Sequence, residues 1–231
     1  MIILPFDQLP DKMQNKAVKK YYDKLYKKRF SIVLKRVFDI IISVIMIVIL
    51  LVPMVVIAIL IKINSPGPVF YKQERITRYC KPFSILKFRT MMVDADKVGA
   101  LVTSDNDSRI TSIGEKLRHY RLDELPQVFH VLTGKMSFVG TRPEVKKYVD
   151  AYTDEMYATL LLPAGITSYA SIKYKDEDKL IGNLSNVNEV DRIYIYEILP
   201  KKMKYNLRDL YLFGFSRSIR VMFLTVKEVF L

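Results

Sequence analysis

The chain has 231 residues and carries 37 basic against 24 acidic side chains, a formal net charge of +13. This excess favours an anionic partner, such as nucleic acid, phospholipid head groups or a phosphorylated substrate, and half of the residues are hydrophobic, enough to build a core. The single cysteine, Cys80, excludes an internal disulfide, and with only two histidines a zinc site of the usual Cys/His kind is not expected.

Residues 1–36 form a polar and then strongly basic segment. Apolar and aromatic side chains recur among its charges at roughly helical spacing: Tyr21, Tyr22, Leu25, Tyr26 and Phe30. This pattern predicts a basic amphipathic helix that either lies with its aromatic edge on an anionic membrane surface or is a solvated charged helix. A cleaved signal peptide is not expected, because the apolar run that follows starts late and has no small-residue cleavage site after it.

Residues 37–61 are apolar apart from Asp39 and Ser43. A straight helix of this length measures on the order of 38 Å, enough to cross a hydrocarbon core. Pro53 removes one backbone hydrogen bond and should kink the helix, and basic residues flank both ends, so the positive-inside bias gives no orientation. We expect a re-entrant membrane helix hairpin that breaks near Pro53 and enters and leaves by the cytoplasmic face. A kinked span and a buried soluble helix are the alternatives.

Two short segments predict a small β-hairpin. After the breaking sequence Asn-Ser-Pro-Gly-Pro at residues 64–68, residues 69–75 and 83–89 are rich in aromatic and β-branched side chains. Lys87 and Arg89 share a parity on the second strand, so both can face one anion; taken alone, ordinary charges at the edge of a strand are the better interpretation of this pair.

Two helix starts are predicted farther on. Ser112 and Glu115 have the spacing of a capping box. Asp123 is placed to cap a second helix through residues 128–132, with Pro126 in the first turn, where its missing N–H costs little.

Asp123 and Glu124 are also adjacent carboxylates beside Arg121 in a chain that is otherwise strongly basic. Successive residues at a helix start point in different directions, so one carboxylate can attack a substrate while the other holds a metal. The same pair suits an acidic first turn that complements the helix dipole. Taken alone, these residues leave both interpretations open.

Several unusual sequence motifs occur in order along the chain: NSPGPVFYKQ from Asn64, KFRTM from Lys87, DSRIT from Asp107, LDELPQ from Leu122 and MSFVGTRP from Met136. Over about residues 35–170 they resemble the bacterial sugar transferases that act as monotopic polyprenyl-phosphate phosphoglycosyl transferases. Two motifs depart from the family pattern. Thr141 replaces the first proline of the usual Gly-Pro-Arg-Pro, and residues 163–168 read Pro-Ala-Gly-Ile-Thr-Ser where the family usually has Pro-Gly-Ile-Thr-Gly.

The resemblance implies transfer of sugar-1-phosphate from a UDP-sugar to undecaprenyl (polyprenyl) phosphate with release of UMP, the initiating step of bacterial surface glycan synthesis, as for capsule or O-antigen. It implies that Asp123 is the nucleophile, giving a covalent aspartyl intermediate, and that Glu124 is the ligand of Mg²⁺. It places the protein at the bacterial inner (cytoplasmic) membrane, with its catalytic domain facing the cytoplasm.

Elementary chemistry agrees with these assignments. A pyrophosphate needs its charge spread over basic groups, and guanidinium forks suit phosphate oxygens. Mg²⁺ is typically held by one or two carboxylates plus substrate phosphates, and a carboxylate nucleophile is already ionised at neutral pH and needs no base. The expected substrate-binding side chains are Lys87, Arg89, Arg109, Arg121 and Arg142.

We therefore expect a mostly helical, membrane-associated α+β fold in which residues 62–231 form a cytoplasmic catalytic domain containing the β-hairpin. From Arg217 onward an apolar stripe at helical spacing predicts a C-terminal amphipathic helix that packs on the core or lies on the membrane. The expected partners are the UDP-sugar, undecaprenyl phosphate and membrane phospholipid, without nucleic acid; a homo-oligomer is left open. The rival interpretation is a non-catalytic, membrane-anchored polybasic module that binds anionic lipid.

Overall fold

The structure, a computed structural model, describes residues 3–95, 107–174 and 187–230. Its α-helices are α1 (Lys16–Lys27), α2 (Arg29–Asn64), α3 (Ser112–His119), α4 (Val128–Leu132), α5 (Lys146–Val149), α6 (Tyr169–Lys173), α7 (Val187–Ile193), α8 (Leu199–Tyr211) and α9 (Phe215–Phe230). Its strands are β1 (Phe70–Thr77), β2 (Lys81–Phe88), β3 (Met136–Val139) and β4 (Ala164–Thr167). The predicted class, mostly helical α+β, is confirmed.

The predicted β-hairpin is confirmed as the antiparallel pair of β1 and β2, with Phe70 opposite Phe88. Alternate residues of a strand share one face. On one face of β2, Phe83 and Ile85 are buried in a cluster with the valines of α4. Lys87 follows on the same face, so packing of the hairpin on α4 directs Lys87 toward the segment that precedes α4.

A second sheet, which the sequence patterns did not predict, is the parallel pair of β3 and β4. The chain approaches itself closely just after β3, because a Cβ on Gly165 would lie 2.2 Å from the nitrogen of Gly140. Two backbone hydrogen bonds fix this approach, from Gly140 N to Thr167 O at 3.0 Å and from Gly165 N to Thr141 O at 2.8 Å. The two glycines therefore hold the segment that leads to residue 142 directly on β4.

Part of the aromatic edge of α1 lies inside the protein, whereas Tyr26 is 50% exposed. Tyr21, Tyr22 and Leu25 are buried in a core cluster with residues of α8 and of the 3₁₀ helix Met156–Leu161. The hydroxyl of Tyr21 donates to Glu155 Oε1 at 2.6 Å. The N-terminal segment thus shares a core with the region after residue 62, and its basic residues occupy the outer face of α1.

The apolar run belongs to one continuous α-helix, α2, with Pro53 inside it. The expected break near Pro53 is not seen as an end of the helix, since a proline removes a single backbone bond and Leu50 and Met54 on either side of it pack on the protein. Among the described residues, α2 is the one helix long and apolar enough to cross a membrane, with a mean hydropathy of 3.5 over its most apolar window.

Both halves of α2 pack along the rest of the protein. Ile42 and Met46 lie against the cluster formed by β2, α4 and β3, whereas Met54, Ile57 and Ile61 lie in a cluster with residues of β2 and α3. The outward face is apolar and exposed along the helix, with side chains from Val33 through Val48 to Ile63. The two polar interruptions of the run, Asp39 and Ser43, are buried on the inward face.

Arg36 fixes the N-terminal half of α2 to α4. Its guanidinium donates from Nη1 to Val131 O at 2.5 Å and from Nη2 to Leu132 O at 2.7 Å. The last carbonyls of a helix have no partner within the helix. The side chain of Arg36 therefore acts as a C-terminal cap for α4, supplied from a different helix.

The start of α3 differs by one residue from the predicted capping box. Thr111 is the N-cap, and its Oγ1 accepts from Gly114 N at 3.0 Å. Ser112 is instead the first helical residue, and its hydroxyl accepts from Asn64 Nδ2 at 2.9 Å. Both hydroxyls lie close to the helix start. The hydroxyl of Ser112, which does not cap the helix, joins the end of α2 to α3.

The predicted C-terminal helix is confirmed as α9. Phe215 packs edge-on against Phe38 of α2, with ring centroids 5.5 Å apart. Phe223 and Val226 are 72% and 54% exposed. Part of the helix therefore packs on the protein, and another part extends the exposed apolar surface that begins on α2.

His130 generates a prediction about stability. Its Nε2 accepts from Leu86 N at 3.0 Å, and its ring packs edge-on against Phe83. Burial, assisted by the charge of Lys135, lowers the pKa of His130 below its ordinary value of 6.5. The unfolded chain then binds a proton at His130 more readily than the folded chain does. The free energy of unfolding therefore has its full value above pH 6.5 and decreases as the pH falls through the folded pKa.

We expect His130→Gln to weaken the acid-side decrease of the melting temperature between about pH 7 and pH 5. The measurement is thermal unfolding in detergent at several pH values. His119→Gln, at an exposed position, is the matched control and should keep the wild-type decrease. Identical pH dependence in the two variants would contradict the assignment.

Candidate functional site

The site is built around a 3₁₀ helix, Leu122–Gln127, that begins after Arg121 in the left-handed region (φ 56°) and runs directly into α4. Val128 N bonds to carbonyls of this preceding turn, and no side chain caps α4. The predicted capping role of Asp123 is therefore wrong, because the N–H groups at the start of α4 are already satisfied. The carboxylate of Asp123 remains available for another task.

Glu124 is held by two basic side chains from different parts of the fold. Its Oε1 lies 2.8 Å from Lys87 Nζ and 2.5 Å from Arg142 Nη2, and its Oε2 lies 3.4 Å from Arg142 Nη1. Burial alone would raise the pKa of Glu124, but the charges and hydrogen bonds of Arg142 and Lys87 outweigh burial and hold its pKa well below its ordinary value. Glu124 is therefore a firmly ionised carboxylate.

Asp123 is in a different environment from its neighbour. It is 7% exposed, its nearest cation is Lys87, with Nζ at 3.7 Å from Oδ2, and no hydrogen bond to its side chain is found within the described ranges. Burial raises the pKa of Asp123, Lys87 opposes this rise, and the charge of Glu124 adds to it. The two adjacent carboxylates thus differ: Glu124 accepts hydrogen bonds from two cations, whereas Asp123 has an ion pair with Lys87 and accepts no hydrogen bond from the described residues.

Arg89 lies at the end of α2. Its Nη1 donates to Pro66 O at 2.6 Å and its Nη2 to Ser65 O at 2.8 Å. Gly67 has a φ of 118°, and a Cβ there would lie 2.2 Å from Arg89 Nη1. These contacts give Arg89 a structural task in the turn after α2, and its contact with substrate stays a prediction.

Among the described residues, neither Arg109 nor Arg121 forms a hydrogen bond or an ion pair with the carboxylate pair. The guanidinium of Arg109 forks onto Asp107, with Nε 2.8 Å from Oδ1 and Nη2 2.5 Å from Oδ2, and donates to Ala95 O at 2.8 Å. Arg121 is exposed beside the 3₁₀ helix. Of the five predicted substrate-binding residues, the structure brings Lys87 and Arg142 onto the carboxylate pair.

Arg75 is a candidate that the sequence patterns missed. Its Nε and Nη2 donate to Gln73 Oε1 at 3.0 and 2.7 Å, and its Nη1 donates to Pro143 O at 3.2 Å. Burial lowers the pKa of Arg75, the carboxylate of Glu144 opposes this, and the nearby charge of Arg142 lowers it further. Arg75 therefore supports the segment that carries Arg142 and adds positive potential beside it.

The alternation of side chains along the two strands of the hairpin could have identified Arg75 from the sequence. In the register of the hairpin, Tyr71 pairs with Lys87 and Arg75 with Phe83, so residues 71, 73 and 75 share the face that carries Lys87. Parity predicted the face of Lys87 from β2 alone. Applied to both strands, it would have placed Arg75 on the side of the hairpin that faces α4.

The pair of carboxylates can supply ligands to Mg²⁺ only together with ligands from a bound substrate. In the described part of the chain no group of three or more His, Cys, Asp or Glu side chains could hold a metal by itself. Mg²⁺, however, usually keeps several waters and binds one or two carboxylates together with substrate phosphates. The ionised Glu124 and the adjacent Asp123 match that donor set, so the residues present fit the metal as a partner of bound substrate.

Fold and site together define a mostly helical α+β protein with a buried Asp–Glu pair held by a lysine and an arginine. A family model described as bacterial sugar transferase matches residues 30–231. The chain belongs to the bacterial sugar transferase family.

Three relatives illustrate the match. The chain is 42% identical over 119 residues to a UDP-N-acetylgalactosamine-undecaprenyl-phosphate N-acetylgalactosaminephosphotransferase of Aeromonas hydrophila, which covers 50% of this chain and 28% of the relative. It is 39% and 34% identical over 145 and 179 residues to UDP-glucose:undecaprenyl-phosphate glucose-1-phosphate transferases of Escherichia coli and Klebsiella pneumoniae, covering 61% and 75% of this chain. The chain spans 28% to 35% of the length of these three relatives.

The different environments of the two carboxylates can be measured directly. Lys87 lowers the pKa of Asp123, so Lys87→Gln should raise the pKa of Asp123 above its wild-type value. The measurement is a ¹³C NMR titration of carboxyl-labelled aspartate in micelles, with the Asp123 signal assigned from its loss in Asp123→Asn.

Lys72→Gln is the matched control, because Lys72 is an exposed lysine on the opposite face of the hairpin. It should leave the titration of Asp123 unchanged. An unchanged or lowered pKa of Asp123 in Lys87→Gln would show that Lys87 does not act on this carboxylate.

Proposed function

We propose that this protein transfers sugar-1-phosphate from a UDP-sugar to undecaprenyl phosphate, releasing UMP, as the initiating step of bacterial surface glycan synthesis. The observation that carries the proposal is the contrast between the two carboxylates. Asp123 is buried and accepts no hydrogen bond from the described residues, whereas Glu124 is ionised and hydrogen-bonded to Lys87 and Arg142. The printed names of the relatives, which act on UDP-sugars and undecaprenyl phosphate, supply the substrate classes.

The pyrophosphate of the UDP-sugar binds beside the carboxylate pair. Lys87 and Arg142 are the side chains that hold it, because both reach the pair and both can exchange part of their contact with Glu124 for phosphate oxygens. Arg75 keeps the segment of Arg142 in place through Pro143. When bound between the carboxylates and the substrate phosphates, Mg²⁺ would neutralise charge that develops on the departing phosphate oxygens.

Asp123 then acts as the nucleophile. One of its carboxylate oxygens attacks the phosphorus that bears the sugar, and the bond from that phosphorus to the bridging oxygen breaks, so UMP leaves with the electron pair. The product is an acyl phosphate on Asp123. An oxygen of the lipid phosphate attacks the same phosphorus in the second step, the bond to Asp123 breaks, and the carboxylate is restored.

We also propose that α2 is re-entrant, with its exposed face in one leaflet and both ends on the cytoplasmic side. Lys35 and Arg36 near one end, and Ile57 and Ile61 near the other, contact the same folded unit. A helix that crossed the membrane would place contacts this far apart on opposite sides of a hydrocarbon core about 30 Å thick. This arrangement sets the carboxylate pair at the level of lipid head groups.

The rival function, a polybasic module that only binds anionic lipid, accounts for the charge and for the apolar face of α2. It gives no reason for Lys87 and Arg142 to converge on buried carboxylates. A lipid-binding surface is served by exposed cations, whereas these two cations are directed inward.

The covalent step has a direct test. Intact-protein mass spectrometry of enzyme mixed with UDP-sugar and Mg²⁺, without lipid acceptor, should detect a sugar-phosphate adduct that maps to Asp123. Asp123→Asn should lack the adduct and lose at least about 10³-fold in turnover, about 4 kcal/mol of transition-state stabilisation.

The matched control is Asp23→Asn, at an exposed aspartate of α1, which should keep both adduct and turnover. Near-normal turnover of Asp123→Asn, or UMP release only when both substrates are present, would favour direct attack by the lipid phosphate.

Topology is tested with cysteines at Lys27 and Lys81, which are both exposed, after Cys80 is replaced by serine. If α2 is re-entrant, both positions are protected from an impermeant thiol reagent in intact cells and both are labelled after the inner membrane is opened. Labelling of one position alone in intact cells would establish a span.

A further inference from the structure

A second cavity, of about 370 Å³, lies between the N-terminal half of α2, the β3–β4 pair and the corner between α8 and α9. None of Lys87, Asp123, Glu124 and Arg142 lines it, so it is separate from the carboxylate pair. Its volume falls in the range of small-molecule sites, about 300–1,000 Å³.

The floor of this cavity is polar although it is deeply buried. The cavity is lined by seven polar or charged side chains that are each less than 9% exposed: Lys35, Asp39, Ser137, Thr159, Ser168, Asn206 and Ser218. Lys35 Nζ lies 3.1 Å from Asp39 Oδ2, and Ser137 Oγ donates to the same oxygen at 2.7 Å. Buried polar groups are costly unless they are paired, and the three groups named here satisfy one another. A polar occupant is needed by a lining group that lacks such a partner.

Asn206 is the clearest sign of such an occupant. It is 6% exposed and lines the cavity, yet within the described ranges its carboxamide makes one weak contact, from Nδ2 to Met203 Sδ at 3.8 Å. An asparagine side chain offers two donors and an acceptor with two lone pairs. A bound group that accepts or donates hydrogen bonds would satisfy this amide.

The charge of the lining favours an anion. Four basic side chains line the cavity (Lys35, Arg36, Arg78 and Arg217) against two carboxylates (Asp39 and Asp209), which leaves a net charge of +2. Lys35 pairs with Asp39, and Arg217 pairs with Asp209 at 2.5 Å. Arg36 is bonded to uncharged carbonyls of α4, so its positive charge is not neutralised by those partners.

The mouth of the cavity is continuous with the exposed apolar face of α2. Val33 and Val37 line the cavity and are 38% and 47% exposed. We propose that this cavity binds the phosphate head group of an anionic membrane lipid, with one hydrocarbon chain leaving along Val33 and Val37. The proposal depends on the membrane placement of α2 but not on the chemistry at Asp123.

The test is native mass spectrometry of the full chain in detergent, titrated separately with phosphatidylglycerol, phosphatidylcholine and inorganic phosphate. Val37→Trp fills the mouth and should weaken retention of phosphatidylglycerol by about tenfold, or about 1.4 kcal/mol. Val44→Trp is the matched control. Val44 lies two turns along the same face of α2, is 46% exposed and does not line the cavity, so its replacement should retain the lipid like the wild type.

A second variant tests the head group. Asn206→Leu is close in size and removes the carboxamide, so it should weaken phosphatidylglycerol while melting as the wild type does; if it melts early, the Val37 and Val44 pair decides. Wild-type preference for phosphatidylglycerol over phosphatidylcholine supports the proposal. Equal retention in the two tryptophan variants, equal binding of the two lipids, or full displacement of phosphatidylglycerol by inorganic phosphate at millimolar concentration would overturn it.

Discussion

The ion pairs of Glu124 hold the site together. Lys87 comes from the β-hairpin, Glu124 from the 3₁₀ helix and Arg142 from the segment after β3, so one carboxylate joins three parts of the fold. A buried carboxylate is tolerated only when its charge is matched and its oxygens are hydrogen-bonded. Because Glu124 takes the hydrogen bonds of Lys87 and Arg142, Asp123 is left buried with Lys87 at 3.7 Å and with Arg118 and Arg142 beyond ion-pair distance. The difference between the two carboxylates follows from one set of contacts.

Polar contacts also orient α2 on the protein. Apolar side chains on the inward face of this helix pack on the core clusters, and its few polar ones add directed bonds: Arg36 caps α4, and Lys35 and Asp39 bond to Ser137. These contacts lie on the inward face, so the outward face is free to be apolar along its length. In the sequence, Asp39 and Ser43 interrupt a membrane segment. In the structure, Asp39 orients the helix through its bond to Ser137, whereas the hydroxyl of Ser43 donates to Ile40 O of the same helix.

Local patterns predicted the elements whose causes are local. The hairpin, the C-terminal helix and the carboxylate pair were found because strand enrichment, helical spacing and adjacent charges are visible in short windows. The cap at Asp123 was wrong because capping depends on whether the N–H groups of α4 already have partners, which the preceding turn decides. The parallel pairing of β3 with β4 and the burial of Tyr21 depend on contacts between segments more than twenty residues apart.

A count of charges at the site supports the proposed metal. Lys87 and Arg142 balance Asp123 and Glu124, and Arg75 has the carboxylate of Glu144 nearby. The pyrophosphate of a UDP-sugar adds two negative charges to this neutral set. In a site where burial already raises the pKa of Asp123, that addition would raise the pKa further. One divalent cation bound together with the substrate would restore the balance and oppose that rise, so Mg²⁺ fits the site as a partner of the substrate.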